Sequence, residues 1–253
     1  MSTSTVCPTS KHMLLPCLNR VTWQQPLAWL RSGWEDFKGS WAHSLAYGTL
    51  FALLGFGLVT IAWSHHYLAI TLTTGFLLVS PFLATIFYDL SRRREQPDTA
   101  AFASIRDNLS SIGLFALMLM FTLSVWERLS AILVGVHLGA SPVPEASLAW
   151  LFSAENIEFV IPFILVGGVM AAVVFAISVV SLPMLMDRRV DIVTAVMTSL
   201  LAVRENPLAM LVWATAIVLL TGIGIATSFI GMAVIFPVLG HATWHAYRDL
   251  VQR

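Results

Sequence analysis

The sequence predicts an all-α fold: a polytopic bundle of six transmembrane helices preceded by an amphipathic interfacial helix. Three observations predict it. The chain is 57% hydrophobic and 11% charged, where soluble domains carry about 25% charged residues. Apolar runs of about 18 residues or more recur, each long enough for a hydrocarbon core of about 30 Å. Basic residues gather in alternate connections, with thirteen of the fourteen Lys and Arg falling on one side of a six-span arrangement. Both termini and all the basic loops are then cytoplasmic. The zero net charge and the absence of a clustered basic surface exclude a nucleic-acid partner.

Residues 1–24 read as a loose cytoplasmic tail. They carry Pro8 and Pro16, and Cys7 and Cys17 as two reduced thiols. Residues 25–43 read as the interfacial helix. Leu27, Leu30, Trp34 and Phe37 recur at helical spacing, with Arg31, Glu35 and Lys38 on the other side. Trp23, Trp29, Trp34 and Trp41 then sit at headgroup depth; docking on a partner protein is the alternative. The transmembrane domain covers 44–250, with spans at 44–63, 67–88, 109–138, 160–182, 207–225 and 228–247. Pro207 suits a first helical turn, and Pro237 kinks the last span. Span three either runs on to residue 138 as a long tilted helix or stops near Trp126.

The charged stretch from Ser181 to Pro207 has a looser copy upstream. Pro81 and Pro183 lie 102 positions apart, and Asn108 and Asn206 lie 98 apart. Arg92, Arg93 and Arg94 match the Arg188-Arg189 pair. We read a parallel internal repeat, each half presenting one charged loop to the same side.

Candidate sites are few. Glu127 and Arg128 fall within the outer half of a long third span, where a charge costs a few kcal/mol and defaults to a functional reading. Glu127 reads as an ion or proton relay, or Arg128 as a tie to another span. His65, His66, His137, Glu155 and Glu158 lie near the outer surface and have the chemistry of a zinc or copper set, without a spacing motif. At the inner end His241 and His245 stand four apart on one helical face, with His43 at similar depth. Such a pair could hold a metal or haem, and the plainer reading is a satisfied structural pair. Gly168, Ala172 and Ala176 form a small-residue stripe, as do Gly48 and Ala52, which suits close helix packing within the bundle or between copies. No Walker loop, nucleophile elbow, H-E-x-x-H or haem-attachment motif occurs, so no cofactor is expected.

Three stretches together resemble a known family. They are Trp29, Leu30, Gly33, Trp34, Asp36 and Phe37 followed by Ser44 to Gly48; Tyr88 to Arg93; and Pro237 through Gly240, His241, Trp244, His245 and Tyr247 to Arg248. Residues 21–250 are similar to the bacterial inner-membrane family catalogued as domain of unknown function 2189. The chain departs from it after Arg94, where Gln96, Pro97 and Asp98 replace a glycine-containing segment. The resemblance implies a bacterial inner membrane and six spans. Some members are labelled as a cytochrome c oxidase subunit, but nothing here resembles the histidine-rich catalytic subunit of a haem-copper oxidase. It transfers no catalytic residues. The expected role is a non-enzymatic accessory, assembly or scaffold subunit bound to another membrane protein, possessing the lipid bilayer as its other partner. The alternative is a small-solute or metal-ion transporter using Glu127 and Arg128.

Overall fold

The computed structural model describes residues 5–6, 15–62, 66–97, 106, 108–138 and 156–252. Within them the chain is mostly helical. A two-stranded antiparallel ribbon, β1 (Thr5–Val6) and β2 (Leu18–Asn19), leads into α1 (Gln25–Gly39) and α2 (Trp41–Ala62). Then come α3 (His66–Leu83), α4 (Thr85–Glu95), α5 (Leu109–Leu138), α6 (Ile157–Ser178), α7 (Ser181–Asp187), α8 (Ile192–Glu205), α9 (Pro207–Ala226) and α10 (Met232–Leu250). Among the described residues four stretches are long and apolar enough to cross a membrane: Trp41–Thr60, Leu109–Val136, Ile157–Asp187 and Pro207–Ala226.

Helix α10 is the hub, packed against α1, α2, α4, α7 and α9. Most of its side chains are buried, from Met232 and Phe236 to Trp244, Tyr247 and Leu250. A helix hidden in protein need not be uniformly apolar, provided its polar groups bond to one another. That explains how its second half can carry His241, Thr243, His245, Arg248 and Asp249. Its first half is aromatic. Phe236 stacks on Phe51 of α2 at 3.6 Å and meets Phe87 of α4 edge-on at 5.5 Å.

Close approach to α10 depends on glycines. A Cβ at Gly33 of α1 would sit 2.7 Å from both Ala242 N and Val238 O. At Gly48 of α2 it would strike Ala233 O, and at Gly240 it would strike the Phe87 ring. Of the two stripes read from the sequence, Gly48 and Ala52 face α10 or the core. In the other, Gly168 and Ala172 face outward, and a Cβ on Gly168 would meet nothing within 4 Å, while Ala176 is half-buried and its carbonyl accepts from Ser199 Oγ of α8 at 2.7 Å.

Two apolar stretches are each divided into two helices near a Ser and a Pro. The second apolar stretch breaks at Ala84 between α3 and α4, and the fourth breaks at Val179 and Val180 between α6 and α7. Asn108 and Asn206 each open the apolar helix that follows, their carbonyls accepting from Ile112 N and Met210 N. Each side chain also pins a distant backbone. Asn108 Nδ2 donates to Leu185 O at 2.8 Å, and Asn206 Oδ1 accepts from Val21 N at 2.8 Å.

Several elements differ from expectation. The tail is not loose as far as residue 24. Leu18 is 2% exposed and bridges Val251, Gln252 N donates to Cys17 O, and Asn19 Nδ2 donates to Asp249 O. Cys17 is disulfide-bonded, not a reduced thiol; Cys7 lies outside the described residues. Sequence spacing does not reveal that the segment folds back on the chain's end. The last helix starts at Met232 rather than 228, because Ser228 and Phe229 take the left-handed backbone, φ 52° and 66°. Such strain persists only where surrounding contacts hold it, and Phe229 is buried against Gly55. Helix α5 does run unbroken to Leu138.

Replacing Gly33 with Ala should force α1 off α10 and cost about 1–3 kcal/mol, read as a lower unfolding midpoint in detergent. Gly168→Ala, with open space around it, should leave that midpoint unchanged.

Candidate functional site

The helix ends at α1, the start of α2, α4, α7 and the second half of α10 converge on a buried polar lattice. Asp36 is its centre. It lies on the face of α1 that contains Pro26, Trp29 and Gly33, all buried. This corrects the sequence reading of α1. Trp29 and Asp36 turn inward, while Trp23, Leu27, Trp34 and Trp41 turn outward. Periodicity weighed the large apolar side chains, whereas docking on α10 selected a glycine and a carboxylate.

The Asp36 carboxylate accepts from three elements. Ser91 Oγ of α4 donates at 2.6 Å, Arg94 Nε of α4 at 3.1 Å and His245 Nε2 of α10 lies at 2.9 Å. Burial alone would raise its pKa. The hydrogen bonds of His245 and Ser91, with the positive field of His245, outweigh burial and hold the carboxyl below its ordinary 3.8. Behind Ser91 stands His241, fully buried, its Nδ1 2.7 Å from Ser91 Oγ and its Nε2 2.9 Å from Ser44 Oγ. Ser44 Oγ lies 3.0 Å from Ser40 Oγ, and Ser40 Oγ donates back to Asp36 O at 2.9 Å.

A second cluster ties the two halves of the chain through α10. Arg248 reaches Glu95 Oε2 of α4 at 3.1 Å and Asp187 Oδ2 of α7 at 3.2 Å. Tyr247 Oη donates to the same Asp187 oxygen at 2.6 Å, and Trp244 Nε1 donates to Glu95 Oε1 at 3.0 Å. Arg188 Nε donates to Tyr247 Oη at 3.0 Å. A third contact fixes the start of α1, where Asp249 Oδ2 accepts from Trp29 Nε1 and Gln25 Nε2, both at 2.7 Å. Within α4, Asp89 is fully buried and pairs with Arg92 at 2.9 Å.

The structure sorts the expected site residues. His241 and His245 do share a face, and both serve the Asp36 lattice. His43 is outward-facing and stands apart from it. Glu127 and Arg128 both face outward, and Arg128 Nη1 donates to Ser124 O of its own helix at 3.1 Å. Among the described residues no hydrogen bond or ion pair carries either side chain to another helix. Of the outer metal set, His65 and Glu155 lie outside the described residues, His66 and His137 are described only in backbone, and Glu158 is outward-facing in the first turn of α6. Asp36, Ser91 and Ser44 escaped the sequence reading. A signal existed: Asp36, Ser44 and Ser91 all fall within the stretches that carry the family resemblance.

Residues 68–187 match the model of a family described as predicted integral membrane protein, DUF2189. The uncharacterised membrane family named from the sequence is therefore the one found. The match spans a little under half of the chain, α3 through α7, and includes the Tyr88 to Arg93 stretch. The stretches around Trp29 and His241 lie beyond it. No curated protein and no solved structure matches the chain.

Asp36→Asn should remove the anion that three donors share and cost on the order of 2 kcal/mol or more. Because the folded pKa is depressed, this stabilisation is present above pH 3.8 and is lost as pH falls below it, through the folded value. Acid unfolding of the native chain should steepen in that window, and the Asn variant should lose that component of the pH dependence.

Proposed function

We propose that the chain is a non-catalytic, multi-pass accessory or scaffold subunit of a bacterial inner-membrane complex. Both termini are cytoplasmic, and α3 and α10 complete six spans around the four apolar ones. The observation that carries this reading is how the charges at the basic end are used. Asp36, Glu95, Asp187, Arg248 and Asp249 are joined helix to helix. A catalytic centre would leave such groups aimed at a space for substrate. Here they lock elements together, which suits a rigid platform. Leu27 and Trp34 of α1, Trp23 just before it and Trp41 at the start of α2 are exposed, and α1 packs against both α2 and α9. That placement supports an aromatic belt at the cytoplasmic headgroups.

Transport through Glu127 and Arg128 has less support. Asn108 is pinned to α7 at the basic end, and Glu127 lies about 28.5 Å further along the helix at about 1.5 Å per residue. That is close to the full thickness of a hydrocarbon core of about 30 Å. The pair then sits at the far interface, where its charges can be hydrated.

The test is a mild-detergent capture of the full chain from native membranes, read by native mass spectrometry. A partner membrane protein in fixed stoichiometry is expected, and a solitary species would sink the scaffold reading. Glu127→Gln should leave that stoichiometry and any solute flux of proteoliposomes unchanged; loss of a flux by this variant would favour transport instead.

A further inference from the structure

Five hydrogen bonds close a ring through the Asp36 lattice. They join His241 Nδ1 to Ser91 Oγ, Ser91 Oγ to Asp36 Oδ2, His241 Nε2 to Ser44 Oγ, Ser44 Oγ to Ser40 Oγ, and Ser40 Oγ to Asp36 O. Each bond needs one proton. The three hydroxyls supply three and a neutral imidazole supplies one, while a carboxylate and a carbonyl supply none. The ring is therefore one proton short as long as His241 is neutral.

The position of the shortfall follows by elimination. Ser91 has given its proton to the Asp36 carboxylate, so it must accept from His241 Nδ1–H. His241 Nε2 then carries no proton and must accept from Ser44. Ser40 is left to serve both Ser44 and Asp36 O with one hydrogen, which it can only share or give to one of them. Ser40 is the residue between α1 and α2. A further proton at His241 Nε2 reverses the Ser44 and Ser40 hydroxyls, and all five bonds are then made.

We infer that the Asp36–Ser91–His241–Ser44–Ser40 ring is a buried proton-binding site whose occupancy fastens α1 to α2 and α10. The charged and titratable groups facing His241 are Asp36 of α1, Arg94 of α4 and its own helix neighbour His245; the Phe87 ring of α4 stands 5.5 Å away. His245 and Arg94 also contact Asp36 directly. They keep the carboxylate an acceptor, and the imidazole is the other basic group of the ring. Asp36 and His241 are the titrating members and are linked through the serine hydroxyls, so the site belongs to the ring rather than to His241 alone. The sign is fixed by the count: falling pH closes the Ser40 junction, until the carboxylate range is reached and Asp36 itself is lost as an acceptor. This inference goes beyond the scaffold reading and does not depend on it.

Ser40→Ala supplies the test, because it leaves three bonds and three protons with His241 neutral. The full chain, labelled with nitrogen-15 at its imidazoles and held in lipid nanodiscs, is titrated by NMR, with His241→Gln identifying the His241 signals. In the native chain His241 Nε2 should take up a proton on acidification, and the amide protection factors at Ser40 and Ser44, that is exchange corrected for its intrinsic pH dependence, should rise with the same midpoint. In Ser40→Ala the midpoint should fall by about one pH unit, tenfold in proton affinity, the worth of about one net hydrogen bond. The Ser44 protection factor should then stop following pH. Ser44→Ala has the same proton count and gives an independent variant. Equal midpoints in native and variant chains, or a Ser44 protection factor indifferent to pH in the native chain, would overturn the inference.

Discussion

The Asp36 carboxylate is the contact on which the architecture at the basic end depends. It sits on α1 and gathers donors from α4 and α10. A buried anion must be paired or it will be protonated, so α1 can dock only where those donors stand. Gly33, one turn before Asp36 and packed directly on Ala242 and Val238, supplies the close approach that puts the carboxylate within reach. Removing either the charge or the clearance would loosen the second half of α1, while Asp249 still holds its start.

From that contact the logic spreads along α10. A helix surrounded by protein on most sides can hold polar residues that a lipid-facing span could not. It spends them on joining elements far apart in sequence. Arg248 links Glu95 and Asp187, one in each of the two charged loops. Helices α4 and α7, which carry Glu95 and Asp187, both pack against α10 at the end where Arg248 lies. Among the described residues the charged groups of this end join helix to helix, with the Asp36 ring of hydrogen bonds beside them.

Much of this was legible in the chain. Apolar runs located α2, α5, α6 and α9 because burying a polar backbone in lipid admits only helices of a set length. The final boundary missed by four residues, since nothing in Ser228 and Phe229 announces a left-handed turn that a buried Phe229 holds in place. The lattice was harder to see. His241 and His245 were visible as an i, i+4 pair, but Asp36 looked like one more charge on an amphipathic helix, and Ser44 and Ser91 looked like ordinary small polar residues.

The sequence by itself determined that the chain is a helical membrane protein, where its apolar helices run, and which ends carry the charge. Those properties follow from composition and from the period of a single helix, and each is local. Only the tertiary structure decided which face of α1 turns inward, that residues 15–24 fold onto the chain's end, and that a carboxylate at 36 meets side chains at 91, 94 and 245. Those outcomes depend on which helices become neighbours. Pairing a buried charge is a requirement that the sequence states, but its partner lies up to 209 residues away, and only packing brings them within hydrogen-bond distance.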